Sequence, residues 1–140
     1  MNRKHIVSAF DAHTIFETIG ATLLEIDEGA VDIGLDFQPN ICQQDGFVHA
    51  GIVTTIVDSA CGLAALTLMP EGARVLTVEF KVNFMSPAVG DRFVAKGRVI
   101  KAGRTLTTTQ GEVFAYREAD GETIEKHIAL MQATMYCLIS

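Results

Sequence analysis

Gly46-Phe47-Val48-His49-Ala50-Gly51-Ile52-Val53-Thr54-Thr55-Ile56-Val57-Asp58-Ser59-Ala60-Cys61-Gly62-Leu63-Ala64-Ala65-Leu66-Thr67-Leu68-Met69-Pro70 reads like the inside of a protein and carries one acid, Asp58. Small and aliphatic residues stand on nearly every side of a helix drawn over residues 50–69, and a helix that is apolar all round must be buried. Its polar side chains Thr54, Thr55, Asp58 and Ser59 recur at spacings of three and four, so they form one stripe while the rest of the surface meets other protein. An unpaired carboxylate in a dry interior costs on the order of several kcal/mol, so Asp58 must find hydrogen bonds, a counter-charge or a water-filled pocket. Position alone leaves a satisfied buried acid and a catalytic acid about equally open.

Outward from this helix, the apolar scatter of Ile6, Val7, Phe10, Ile15, Phe16 and Ile19 predicts one or two short helices over residues 2–19, stopping at Gly20. Residues 21–26 and 31–37 favour strand around the turn Asp27-Glu28-Gly29, which makes a hairpin, and residues 38–47 form a loop marked by Pro39, Asn40, Asp45 and Gly46. Beyond Pro70-Glu71-Gly72, Val78, Phe80, Val82 and Phe84 alternate with Thr77, Glu79, Lys81 and Asn83, the pattern of a half-buried strand. Further strands are expected over 92–100, 106–116 and 123–138, the last two joined at Asp120-Gly121, a good hairpin turn. Successive short turns imply antiparallel neighbours, so the plan is α+β: a curved antiparallel sheet of five to six strands wrapped around one long central helix. One helix covers one face of such a sheet, and the strands carry more apolar residues than that face needs. At least a dimer is expected.

The 140 residues suit one domain with its own core, and 49% hydrophobic with 20% charged residues is ordinary globular composition. A net charge of −6, with no basic run, argues against nucleic acid as a partner. Residues 50–69 are long enough to be weighed as a membrane span, but Asp58 and three threonines interrupt them, so no membrane role is expected. The first residues show no secretory apolar stretch, so a cytoplasmic location is expected. Cys42, Cys61 and Cys137 and the scattered His5, His13, His49 and His127 lack metal-ligand spacing, so neither a metal nor another cofactor is expected. Cys61 reads as a small core residue; Cys42 lies nearer the loop of interest.

Three strings carry a resemblance. They are Gln43-x6-Ala50-Gly51-x6-Asp58; Leu76 to Asp91 with Pro87 and the Gly90-Asp91 turn; and Ile100-Lys101-Ala102-Gly103-Arg104-Thr105-Leu106. Together with the order of elements over roughly residues 17–138, they resemble the hotdog-fold acyl-CoA thioesterases, in the PaaI-like branch of the 4HBT superfamily. The resemblance implies a site at a dimer interface, with the loop amide and helix start from one subunit and the helix acid from the other. It implies Gln43 as the amide that bonds the thioester or holds water, and His49 and Gly51 as substrate-binding residues at the helix start, where His49 shapes the helix entry. Ala50 stands where the branch has Gly and would act through its backbone N–H. Thr77 falls at a hydroxyl-bearing position that can orient water.

Those residue types fit the chemistry independently. Thioester hydrolysis needs a donor where the carbonyl oxygen gains charge and a base or nucleophile at the carbonyl carbon. A helix start supplies the donor, because its first N–H groups lack intrahelical partners and the macrodipole favours negative charge there. Asp58 supplies the base or nucleophile. Eight helical residues rise roughly 12 Å, so Ala50 and Asp58 of one chain cannot grip one carbonyl, and the site must combine two chains. Coenzyme A phosphates need local positive charge, for which Arg92, Lys96, Arg98, Lys101 and Arg104 are at hand, with Lys101 and Arg104 in the turn as the substrate-binding pair. Other readings are a non-catalytic acyl-CoA binding module and a hotdog dehydratase or hydratase. The latter is disfavoured because His49 and Asp58 stand on opposite sides of the helix start. A dimer of dimers is compatible with all of these readings.

Overall fold

The structure, a computed structural model, describes residues 1–139. Two short helices, α1 (Arg3–Asp11) and α2 (Thr14–Ile19), precede a hairpin of β1 (Ala21–Asp27) and β2 (Ala30–Asp36). The central helix α3 (Ala50–Leu66) follows, and then β3 (Arg74–Phe84), β4 (Arg92–Ala102), β5 (Leu106–Ala119) and β6 (Glu122–Leu138). The six strands form one antiparallel sheet in the order β1-β2-β4-β5-β6-β3, wrapped around α3 as the sequence leads one to expect. This is the hotdog arrangement. Among the described residues, no helix is long and apolar enough to cross a membrane.

The helix stays close to the sheet because both surfaces are small. From Val53 to Leu66, the residues Val53, Ile56, Val57, Ala60, Cys61, Leu63, Ala64, Ala65 and Leu66 are all buried. A Cβ on Gly97 in β4 would run into the Ala60 carbonyl group and the Cys61 nitrogen, and one on Gly111 in β5 would meet Val57 and Cys61. Backbone atoms cannot swing aside as a side chain can. Gly97→Ala is therefore expected to destabilise the fold by about 1–3 kcal/mol, the usual cost of overpacking, seen as an earlier midpoint in denaturant unfolding.

One expectation of the sequence fails. Short connections imply that β3 and β4 are neighbours, yet β3 pairs with β6, and β4 pairs with β2 and β5. The link between them crosses the end of the sheet instead of turning back. Met85 N–H donates to the Ile128 carbonyl at 2.8 Å on the β6 side, while Asp91 N–H donates to Tyr116 at 2.8 Å and its carbonyl accepts from Phe37 N–H at 2.9 Å on the other. The loop after β2 is also more ordered than its composition suggests, with a 3-10 turn at Pro39–Ile41 and a bridge between Cys42 and Val48.

β3 is consequently an edge strand of 11 residues. Leu76, Val78, Phe80 and Phe84 on it are 42–56% exposed, which leaves a long apolar strand with unpaired backbone along one side.

Candidate active site

The start of α3 is built by His49. Its backbone is extended, and its Nδ1 accepts from the Gly51 N–H at 2.8 Å, which makes it the N-cap. A Cβ on Gly51 would come within 3.0 Å of that ring nitrogen, so the glycine leaves room for the imidazole to cap. The His49 carbonyl takes the N–H groups of Ile52 and Val53 at 2.9 and 3.2 Å. With Gly51, Ile52 and Val53 satisfied, the N–H of Ala50 is the donor left over at the positive end of the helix. His49 and Gly51 together set the geometry of the helix start.

Gln43 lines the same cavity as Ala50, a space of about 380 Å³ walled mostly by apolar side chains, among them Phe47, Val53, Phe84, Met85 and Ile128. The orientation of its amide is decided by its neighbours. The Oε1 accepts from the backbone N–H of Asp45 at 2.6 Å and of Phe47 at 3.1 Å, and both partners can only donate. Nε2 is left with one long contact to Asp45 at 3.4 Å, so its hydrogens are free for an acceptor in the cavity. The cavity therefore holds two donors, one backbone and one amide, against an apolar wall.

Asp58 lies elsewhere, in a small recess of about 80 Å³ shared with Thr77 and His13, and no residue lines both spaces. The Thr77 hydroxyl donates to Asp58 Oδ1 at 2.8 Å, which fixes the carboxylate. Thr77 Oγ1 also stands 3.4 Å from the Met135 sulfur, but its single proton goes to the closer and charged acceptor. Burial raises the pKa of Asp58 above its ordinary value; the Thr77 hydrogen bond and the charge of His13 pull the other way without cancelling it. Thr54 and Thr55, also of the polar stripe, turn their hydroxyls back onto the Ala50 and Gly51 carbonyls at 2.8 Å each, and Ser59 lines the recess beside Asp58. Asp58 is the one ionisable group of the stripe. Cys61 is inert by the same physics, since burial pushes its thiol up to about 11. The Cys42 thiol is engaged with the Gln38 carbonyl at 3.4 Å.

Lys101 and Arg104 border neither cavity. Lys101 pairs with Thr108, whose neighbours Thr107 and Thr109 are buried toward α3, so Lys101 stands on the convex face, away from the helix. The cations near the Gln43 cavity are others. Phe47, Pro87, Ala88 and Val89 separate it from two adjoining surface clefts, and these are lined by Arg117 and, in one of them, Lys126. Sequence reasoning missed these two residues and His13, because strand pairing and helix packing bring them in from distant parts of the chain.

Comparison with known proteins shows the family and the fold. The sequence profile of the Thioesterase superfamily, 4HBT, matches residues 45–121. That segment holds Ala50, Asp58 and Thr77 and leaves out Gln43 and His13. The crystal structure of a thioesterase family protein from Silicibacter pomeroyi is 46% identical and superposes with a TM-score of 0.91 over 96% of each chain. Human acyl-coenzyme A thioesterase 13 is 28% identical over 109 residues, which cover 76% of this chain and 77% of that protein. The PaaI protein of the E. coli phenylacetic acid degradation operon is 15% identical with a TM-score of 0.80, over 96% of this chain and 91% of that one, a likeness in fold.

Proposed function

Because this chain belongs to the thioesterase superfamily and is a thioester hydrolase, we propose that it cleaves aryl- or fatty acyl-coenzyme A to the free acid and coenzyme A, in two sites shared across a homodimer. The observation that carries this reading is the separation of the donors from the acid. Gln43 and Ala50 line one cavity, and the Asp58–Thr77 pair occupies another.

Symmetry offers the way to join them. The donor cavity touches β3 at Phe84, and the acid recess touches it at Thr77, roughly 23 Å apart along an extended strand. Antiparallel pairing of the exposed β3 with its own copy, centred near Phe80, sets the Thr77 end of one chain opposite the Phe84 end of the other. It also covers the apolar edge and completes both sites at once.

In such a site the thioester carbonyl accepts from Gln43 Nε2 and the Ala50 N–H, which stabilise the oxygen as it becomes an oxyanion. Asp58 of the partner subunit takes a proton from water, held by the Thr77 hydroxyl beside it, as the water oxygen bonds to the carbonyl carbon. The tetrahedral intermediate then collapses, the C–S bond breaks, and the sulfur leaves as thiolate and takes up a proton. The acyl group lies against Phe47, Phe84, Met85 and Ile128. Arg117 and Lys126 meet the phosphates in place of Lys101 and Arg104.

Release of free coenzyme A from a panel of aryl and straight-chain acyl-CoAs tests the reading, with Arg117→Ala/Lys126→Ala and Lys101→Ala/Arg104→Ala run alongside. The first double variant is expected to raise KM by about tenfold, with kcat within about twofold, since lost uniform binding appears in KM. The second is expected to leave KM in place. Acyl-CoA that binds without release of coenzyme A from any member of the panel would replace hydrolysis with a binding role.

A further inference from the structure

We propose that His13 is a positioning residue of the acid site, its imidazole fixed at the α1–α2 junction so that it walls the recess of Asp58, which makes the N-terminal helical segment part of the active site. The inference rests on the reading of Asp58 as the base.

The ring is held from two sides. Its Nδ1 lies 2.6 Å from the Ala9 carbonyl, an acceptor only, so that nitrogen carries the proton. The ring also stacks on Phe16 with centroids 4.6 Å apart, and Phe16 in turn stacks on Phe10 at 4.4 Å, so the imidazole is anchored to a buried aromatic pair. Nε2 is the nitrogen left for the recess that His13 lines with Asp58 and Thr77.

The groups around Asp58 come from four directions. Thr77 faces it from β3, with the Met135 sulfur of β6 behind; Cys61 sits farther along α3; and His13 closes the recess from the helical segment. Of these, His13 alone can carry positive charge. Its attraction opposes the desolvation that burial imposes on Asp58, and Thr77 supplies the other opposing contribution.

The test compares kcat/KM against pH for the native protein, His13→Gln, His13→Tyr and His13→Lys. Gln keeps a donor for Ala9, and Tyr keeps the stack on Phe16, so at least one neutral variant retains the local packing. In both, the acid limb is expected to move to higher pH. Activity below the limb is expected to fall about two- to fivefold, the scale of a solvent-screened attraction, with a smaller loss on the plateau. His13→Lys is expected to return the limb toward its native position. In parallel, ¹³C NMR titration of the Asp58 carboxyl in native and His13→Gln protein should show the same upward move without reference to turnover. An unchanged limb and an unchanged carboxyl titration in the folded neutral variants overturn the inference. The two readings fail separately: an acid limb that survives Asp58→Asn sinks the role of Asp58, whereas an NMR titration indifferent to His13 sinks the role of His13.

Discussion

Asp58→Asn is expected to lower kcat by at least about a hundredfold, equivalent to roughly 2.7 kcal/mol of barrier. Asn is the same size, and its side-chain oxygen can still accept from Thr77, so the bond at 2.8 Å has a successor and the recess keeps its shape. Only the ability to take a proton is lost. Stability should move in the opposite direction. Burial raises the pKa of Asp58, so the folded chain binds a proton more tightly than the unfolded one. The ionised carboxylate therefore weighs against folding at neutral pH, and that penalty fades as pH falls through the raised folded pKa. A neutral Asn removes it. Thermal unfolding at pH 7 is thus expected at the native temperature or above, so a dead enzyme with an unshifted or higher midpoint separates lost chemistry from lost structure. In the native enzyme, the acid limb of kcat/KM should lie above the ordinary carboxylate range for the same reason. Rapid quench of the native enzyme distinguishes the two uses of the carboxylate: no acyl group on Asp58 fits general-base catalysis, and a trapped mixed anhydride makes it the nucleophile. Retention of near-native turnover by Asp58→Asn would remove the acid from the mechanism.

Much of this was legible in the order of residues. The buried helix declares itself because its apolar residues occupy every face, and the actual helix ends within a turn of the expected end, where Thr67 Oγ1 donates to the Ala64 carbonyl at 2.6 Å. The alternation from Val78 to Phe84 does mark a strand, although not its neighbours. Local pattern reports which way side chains point and is silent on which strand lies alongside, so the crossing of residues 85–91 over the sheet end could not be read. The same limit hides the face on which Lys101 stands. Lys101 looked suitable beside a conspicuous turn, but the register shift between Val99 and Lys101 decides which face it takes, and that bulge leaves no mark in the sequence. His13 had no local signature, since what brings it to Asp58 is the docking of Phe16 and Ile19 into the core. Gln43 was singled out by the resemblance, while its orientation came from two backbone donors in its own loop.

Mixing two inactive variants is expected to restore activity, and this prediction tests the assembly of the site. Gln43→Ala removes a carbonyl donor and should cost on the order of a hundredfold, the lower end for an oxyanion contact. Asp58→Asn removes the base. If each site takes Gln43 from one chain and Asp58 from the other, a mixed dimer has one site with both residues intact and one with both lost. Random pairing of equal amounts makes half the dimers mixed, and each contributes one working site of two, so the mixture should reach about a quarter of native specific activity. Either parent alone stays near one per cent by the magnitudes above. The two rulers within one chain, roughly 12 Å along the helix and roughly 23 Å along β3, make the alternative sharp. A site contained in a single chain gives the mixture no intact copy, and its activity would remain at the average of the two parents however long the subunits exchange. The comparison needs subunits that do exchange, so the mixture is unfolded and refolded together, with Gln43→Ala/Asp58→Asn refolded against native protein as the control. In that control the mixed dimer carries no complete site, because each site pairs one native residue with one lost residue. Native homodimers alone then supply activity, again about a quarter of native. Recovery in the first mixture to the level of the second is the quantitative sign that β3 pairs with its own copy and that the carbonyl donors and the base meet across that seam.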